Sequence, residues 1–119
     1  MFKADNNIKV TYFAALLITF VLYAATCAPG AVWQDSGLIQ YRVWHNDIEG
    51  RLGLALSHPL FYMLAIAAKY VPLGEFAYRV NMSTAVISAV AIANLFLLLR
   101  LWLGKASGAL IGAASLALS

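Results

Sequence analysis

The chain is poor in charge and in cysteine, and these shortages exclude several classes of protein. Only 11% of its 119 residues are charged, against roughly 25% in a soluble domain. The one cysteine, Cys27, has no second cysteine with which to close an internal disulfide, so a disulfide-stapled secreted fold is excluded. The net charge of +3 is spread thinly along the chain, and we therefore expect no nucleic-acid partner.

Apolar residues, in contrast, are abundant. They make up 63% of the sequence, and the mean hydropathy is +0.80, which is far above the balance of a soluble domain. The sequence therefore predicts an all-α integral membrane protein. Its length suffices for one small helical bundle, so residues 1–119 are predicted to form a single membrane domain.

Three apolar blocks define the predicted spans. Residues 10–28 and 80–103 are each long enough to cross a hydrocarbon core as a helix, which takes about 20 residues. The third block, 106–119, stops after about 14 residues and is predicted to be a truncated apolar helix. We interpret the chain as the N-terminal fragment of a longer multispanning protein; the alternatives are a short protein with an interfacial tail and, for residues 10–28, a cleaved signal peptide.

Basic residues flank both predicted spans. Lys3 and Lys9 precede the first, and Arg100 and Lys105 follow the second, so both of these ends are expected in the cytoplasm and the loop 29–79 outside. We expect a multi-pass protein of a bacterial inner membrane, with the lipid bilayer as its first partner.

The external loop is predicted to hold two short interfacial helices. The first is indicated by apolar residues at helical spacing, which lie opposite polar ones and fit a helix on the membrane surface; these are Leu38, Tyr41, Trp44, Ile48 and Leu52, opposite Gln40, Arg42, Asn46 and Asp47. The second begins at Pro59 behind His58 and carries an apolar stripe to Val71.

Four segments of the chain resemble the protein O-mannosyltransferase-like family of GT-C membrane glycosyltransferases. They are Ala28–Gly37 (APGAVWQDSG), Ser57–Tyr62 (SHPLFY), Val71–Gly74 (VPLG) and Ala77–Asn81 (AYRVN). The resemblance extends over about Ala15–Leu103. It implies a multispanning enzyme that transfers a sugar, such as mannose, from a polyprenyl-phosphate carrier to an acceptor on the non-cytoplasmic side.

The resemblance also implies roles for individual residues. Family members carry an essential acidic residue in the first external loop, and Asp35 holds the matching position. A carboxylate there accepts the proton of a weakly nucleophilic acceptor or orients it. The chemistry of the other residues predicts that His58 donates a hydrogen bond to the carrier phosphate or tunes the electrostatics of the loop, and that Arg79 pairs with the same phosphate. Trp33 is the third residue predicted to bind substrate. No cofactor and no metal site are expected, because one acid alone does not supply the oxygen ligands that hard cations recruit.

The chain departs from the family pattern at two positions. Leu38 stands where family members commonly have a second acid, and Leu60 stands where they have a second proline. A different substrate, another partner for Asp35, or a scaffold without activity are all compatible with these changes. The alternative function is accordingly a non-catalytic membrane scaffold or subunit that docks a partner or lipid through its external loop.

The same residues also have purely structural interpretations. Asp35 and His58 are typical helix caps, Trp33 is typical of an interface anchor, and Arg79 is typical of the outer end of a span.

Other polar residues are predicted to be structural. Asn81 and Asn94 on the second span favour bonds to neighbouring helices. Asp47, Glu49 and Arg51 are predicted to form a solvated face with local ion pairs.

Overall fold

A computed structural model describes residues 6–32, 35–53 and 58–119, and α-helices are the regular secondary structure of these ranges, with no strand among them. The predicted all-α class is confirmed at this level. The helices are α1 (Asn6–Thr26), α2 (Asp35–Trp44), α3 (Pro59–Ala68), α4 (Phe76–Leu103) and α5 (Ala106–Ala117).

Helices α1 and α4 are long and apolar enough to cross a membrane. At 1.5 Å per residue their 21 and 28 residues extend about 31 and 42 Å, against a hydrocarbon core of about 30 Å. Each begins four residues before its predicted start. Only 6% of the most apolar stretch of α1 and 33% of that of α4 are buried. Such outward-facing apolar surface is unusual for a soluble core helix and indicates an apolar surrounding.

The chain divides into two compact units. The span unit combines the chain up to Ala25 with Val86–Ser119, and the loop unit is Thr26–Ala85. The loop unit contains α2, α3 and the first ten residues of α4.

In the span unit, α4 and α5 form a hairpin around a glycine. Gly104 has a φ of +67° and donates its amide to the Arg100 carbonyl, 3.1 Å away, which is the usual way for a helix to end in a left-handed residue. Small residues then let α5 approach α4, because a methyl group added at Gly112 would press on Leu99. Helix α5 has 12 residues, or about 18 Å, and is as short as the sequence predicts.

Helix α1 is joined to this hairpin by two tyrosines. The Tyr12 hydroxyl donates to Asn94 Oδ1 at 3.1 Å, and the Tyr23 hydroxyl donates to the Ala117 carbonyl at 2.9 Å. The predicted use of Asn94 for helix association is thus confirmed.

The loop unit has its own apolar core. Val43 of α2, Tyr62 and Ala65 of α3 and Val80 of α4 are each 2% exposed or less. Surrounding half-buried side chains pack against them: Ile39, Phe61, Ile66 and Phe76. The segment between the two predicted spans is therefore a folded unit rather than a slack connection.

The predicted extent of the first interfacial helix is wrong. Helix α2 ends at Trp44 and does not continue to Leu52. Asn46 has a φ of +56°, which ends the helical path, and the next residues form turns. Lys69 stabilises this end because its Nζ donates to the Trp44 carbonyl at 3.3 Å and to Asn46 Oδ1 at 2.6 Å. Helix α3 begins at Pro59 as predicted but ends earlier than its stripe, at Ala68.

Candidate functional site

Asp35, the predicted catalytic residue, is the first residue of α2, and its side chain is exposed. A carboxylate in the first turn interacts favourably with the partial positive charge of a helix N-terminus. Its position is therefore compatible both with a structural role at the helix start and with access to substrate. Trp33 lies outside the described residues.

The segment that leads to α2 is held by Asn81 of α4. Asn81 Nδ2 donates to the carbonyls of Ala28 and Gly30 at 2.8 and 3.3 Å, while its Oδ1 accepts a bond from Gln40 Nε2 at 2.9 Å. Gln40 is 5% exposed. One amide thus connects the start of α4 to the middle of α2 and to the chain that precedes α2. The prediction that Asn81 bonds to a neighbouring helix is confirmed.

The same segment also approaches the backbone of α2 closely at Gly37. A Cβ atom at Gly37 would collide with the carbonyl oxygen of Val32. Only glycine allows this approach, which brings the chain before α2 against the first turn of the helix.

His58 occupies the N-cap position of α3 in a left-handed conformation. Its φ and ψ are +63° and +55°, and its side chain makes no capping bond. A left-handed backbone costs a non-glycine residue about 1–2 kcal/mol, and such strain persists where the surrounding structure imposes it, often at functional sites. The imidazole is exposed. The helix start at Pro59 is thus confirmed, whereas the imidazole itself does not cap the helix.

Arg79 lies in the first turn of α4 and is half-buried. Its Nη1 donates to the carbonyls of Lys69 and Val71 at 2.5 and 3.0 Å, which satisfies backbone oxygens just after α3. Its buried Nε has no hydrogen-bond partner in the described part of the chain. The Nη1 group of Arg79 is therefore occupied by hydrogen bonds to the backbone.

These three predicted site residues occupy corresponding places in the loop unit. Asp35 is the first residue of α2, His58 directly precedes α3, and Arg79 is in the first turn of α4. No hydrogen bond or ion pair between described residues joins any two of them. In the described ranges, no group of three or more His, Cys, Asp or Glu residues is placed to hold a metal ion.

Arg42, which the sequence predicts on the polar face of the first interfacial helix, is instead buried and makes several polar contacts. It is 0% exposed. Its Nη1 donates to the Tyr62 hydroxyl at 2.8 Å, its Nη2 donates to the Asp47 carbonyl at 3.1 Å, and its Nε lies 3.3 Å from Asp47 Oδ2. The guanidinium also lies over the Tyr62 ring, 4.0 Å from the ring centroid.

Asp47 organises the turn that follows α2. Its carboxylate accepts the backbone amides of Gly50, Arg51 and Leu52 at 2.9–3.0 Å. The bond from the Leu52 amide and those from Arg51 and Gly50 outweigh desolvation and, together with the Arg42 charge, lower the pKa of Asp47 below its usual 3.8. Carboxylates that accept several amides behave in this way.

These contacts correct the expected polarity of α2. Asp47 was predicted to be solvated, but its side chain is 7% exposed, and Gln40 and Arg42 are also buried. The polar face of α2 packs against α3 and α4 because it supplies hydrogen bonds to Tyr62 and Asn81. Local ion pairs are confirmed, because Asp47 pairs with the buried Arg42 and Glu49 pairs with Arg51 at 2.8 Å. Of Asp47, Glu49 and Arg51, the last two are the exposed ones.

The apolar stripe of α2 faces outward. Tyr41 and Trp44 are 51% and 58% exposed, although the edge of the Trp44 ring also contacts Phe76 at 5.0 Å between centroids. Aromatic rings with one free face are typical of side chains at the headgroup level of a membrane.

The fold and the site together define a helical protein of the membrane type, which has two helices of spanning length and a compact loop unit with an apolar core of its own. Residues 55–117 match the family of the protein O-mannosyl-transferase TMEM260 N-terminal domain, which is more than half of the chain. The chain belongs to this family, which confirms the resemblance and indicates a glycosyltransferase of the protein O-mannosyltransferase type. The match includes His58 and Arg79 and begins after Asp35 and Trp33. Comparison with curated proteins and with solved structures found no match.

Proposed function

We propose that the chain forms part of a GT-C-type glycosyltransferase that moves a sugar, with mannose favoured by the family's name, from a polyprenyl-phosphate carrier to an acceptor on the non-cytoplasmic side. Family membership carries this proposal. The exposed position of Asp35 at the start of α2, which is anchored through Gly37 and Asn81, supports its role.

Asp35 is the proposed catalytic base. As the acceptor oxygen attacks the anomeric carbon of the sugar, its proton passes to the Asp35 carboxylate. The bond between the anomeric carbon and the carrier phosphate oxygen breaks, and the phosphate leaves with the electron pair. General base catalysis of this kind contributes about 10²–10⁴-fold to a rate. The step requires a carboxylate that is open to substrate, and the exposed side chain of Asp35 at the start of α2 meets this condition.

The other proposed contacts serve the donor. His58 donates a hydrogen bond to the carrier phosphate, and its exposed imidazole, which makes no capping bond to α3, and its strained backbone support this role. Arg79 adds positive charge close to the same phosphate, while Trp33 stacks on a sugar ring. We place the protein in a bacterial inner membrane as a multi-pass protein, with its N-terminus in the cytoplasm and residues 29–79 outside.

A non-catalytic scaffold is the second candidate, and the outward apolar face of α2 favours it. Tyr41 and Trp44 would then dock a lipid or a partner helix. The absence of a second acid at Leu38 agrees with this alternative.

The test is transfer of radiolabelled sugar from polyprenyl-phosphate donors by membranes that contain the protein. Asp35→Asn is expected to lower transfer about 100-fold or more at unchanged protein level. The matched control is Glu49→Gln, which changes an exposed acid of the same unit whose bond is to Arg51 and should keep full activity. Equal transfer by Asp35→Asn and the natural sequence would refute the role of Asp35 and favour the scaffold.

The donor contact is tested by His58→Gly, since glycine adopts the left-handed backbone without strain. We expect unchanged or higher thermal stability together with a higher KM for the donor. His45→Ala, which removes the other exposed histidine of the loop unit, is the control and should leave the KM unchanged. An unchanged KM in His58→Gly would remove His58 from the donor site.

A further inference from the structure

We infer that Asn81 and Gln40 are positioning residues that hold the chain before α2, and with it the catalytic carboxylate, in one place. The inference rests on the proposed function for the role of Asp35, whereas the clamp itself follows from the contacts. We use the term clamp for the side chains of Asn81 and Gln40 and the carbonyls of Ala28 and Gly30.

The direction of each bond in the clamp is fixed by chemistry. The carbonyls of Ala28 and Gly30 only accept hydrogen bonds, so the Asn81 group that faces them at 2.8 and 3.3 Å is its NH₂. Its oxygen must then face Gln40, which donates through Nε2 at 2.9 Å. The NH₂ group of Asn81 therefore acts as donor and its oxygen as acceptor. An apolar side chain of similar size can form neither kind of bond.

The clamp acts on a segment of the chain without regular secondary structure. Its carbonyls lie between the end of α1 at Thr26 and the start of α2 at Asp35, outside regular structure. A methyl group at Gly30 would meet nothing within 4 Å, whereas the hydrogen bonds from Asn81 hold the carbonyls of Ala28 and Gly30 directly.

Gln40 links this support to α2 itself. It lies five residues after Asp35 and is 5% exposed, and its bond to Asn81 joins α2 to α4. The segment before α2 and helix α2 itself are thus both hydrogen-bonded to the side chain of Asn81. Displacement of a catalytic group by about 1 Å costs on the order of 100-fold in rate, so this link is where positioning matters most.

The clamp connects two of the segments on which the family resemblance rests, Ala28–Gly37 and Ala77–Asn81. Asn81 ends the AYRVN segment, and Ala28 and Gly30 belong to the APG segment, 51–53 positions earlier. One side chain joins the two. Arg79, in the same segment, contributes separately by bonding to the carbonyls after α3.

The test replaces Asn81 by Leu and follows the order of the loop directly. A nitroxide label at Ala31, which is exposed, is introduced in a Cys27→Ala background, and its mobility is measured by electron paramagnetic resonance in nanodiscs. The matched control is Asn94→Leu, the same substitution on the same helix, where the lost bond is to Tyr12 in the span unit. We expect the mobility of the label to increase in Asn81→Leu and to remain unchanged in Asn94→Leu.

Two further measurements separate positioning from simple destabilisation. Hydrogen exchange of residues 35–44 should be unchanged in Asn81→Leu, because the apolar core of the loop unit is intact. Sugar transfer should lose about 100-fold in kcat, with the KM for the donor unchanged, and Gln40→Leu should reproduce a smaller part of this loss.

The outcomes distinguish the inference from the proposed function. Unchanged label mobility in Asn81→Leu, or faster exchange throughout α2, overturns the inference. Unchanged kcat in Asn81→Leu, in a protein that Asp35→Asn inactivates, also overturns it. If the natural protein transfers no sugar but the label becomes mobile, the clamp is established and the proposed function fails.

Discussion

Replacement of Arg42 by Met is expected to open the turn after α2. Methionine matches the length of the arginine stem and fills apolar space, but it offers no donor to the Tyr62 hydroxyl, the Asp47 carbonyl or the Asp47 carboxylate. All three lie within 3.3 Å of the buried guanidinium. The substitution removes one partner of a buried ion pair.

The free-energy cost of Arg42→Met follows from the Asp47 carboxylate that remains buried without its ion-pair partner. Breaking a buried ion pair from one side costs about 3–5 kcal/mol. Because the carboxylate of Asp47 keeps three backbone amides, we expect the lower end, about 3 kcal/mol. At 1.4 kcal/mol for each factor of ten, this corresponds to a loss of about 100-fold in the equilibrium that keeps the turn closed.

Hydrogen exchange measures that equilibrium residue by residue. The amides of Gly50 and Leu52, which are bonded to Asp47, should lose about 100-fold in protection in Arg42→Met, whereas those of α1 should not change. Arg51→Met is the control, because Arg51 has an 80% exposed side chain and surface substitutions usually act within about 0.5 kcal/mol. Equal effects of the two variants, or none in Arg42→Met, would refute the buried ion pair as the support of the turn.

Two further predictions concern the same unit. Because the pKa of Asp47 is lowered, its stabilisation of the turn is complete above about pH 4, where the unfolded carboxyl is also ionised, and is lost as pH falls further. Amide protection in Gly50–Leu52, corrected for intrinsic exchange, should decrease below pH 4. Asp47→Asn should abolish this pH dependence. Protection that does not change with pH in the natural protein would contradict the role of Asp47. Gly37→Ala should raise the mobility of the labelled loop because the new methyl group collides with the Val32 carbonyl, whereas Gly30→Ala meets open space and serves as control. Equal mobility in the two variants would show that the close approach at Gly37 is not required.

Length and composition were sufficient to predict the spanning helices. The apolar runs in α1 and α4 are long, and few alternatives satisfy a backbone within hydrocarbon. The helix ends were less predictable. Polar Asn6 and half-buried Phe76 extend the helices beyond the apolar runs, because helical hydrogen bonding does not depend on hydropathy.

The orientation of α2 was not predictable from its own sequence. Periodicity identifies two faces but does not say which face packs inward. In this helix Arg42 and Gln40 are buried because Tyr62 and Asn81 offer partners, and those partners lie 20 and 41 positions away. The end of the helix was missed for a related reason, since the left-handed Asn46 and the amide bonds to Asp47 depend on the folded turn.

The candidate site residues are predictions from local rules and from the family resemblance, whereas the contacts that support them did not follow from the sequence. His58 at a helix start and Pro59 behind it follow from local rules, and the family resemblance indicates Asp35. The clamp by Asn81 was not predictable, because no local pattern connects an asparagine in a long apolar helix to two carbonyls more than 50 positions earlier.

That separation sets the order in which the protein is assembled during synthesis. A ribosome adds about 5–20 residues per second, so Ala28 and Gly30 emerge about 3–10 seconds before Asn81. Contacts that close such long loops also form slowly. Until Asn81 is present, α2 lacks the hydrogen bond that joins Gln40 to α4, and we expect it to be more accessible to proteases. The abundance of the protein in the cell is therefore expected to depend on how promptly α4 folds against α2.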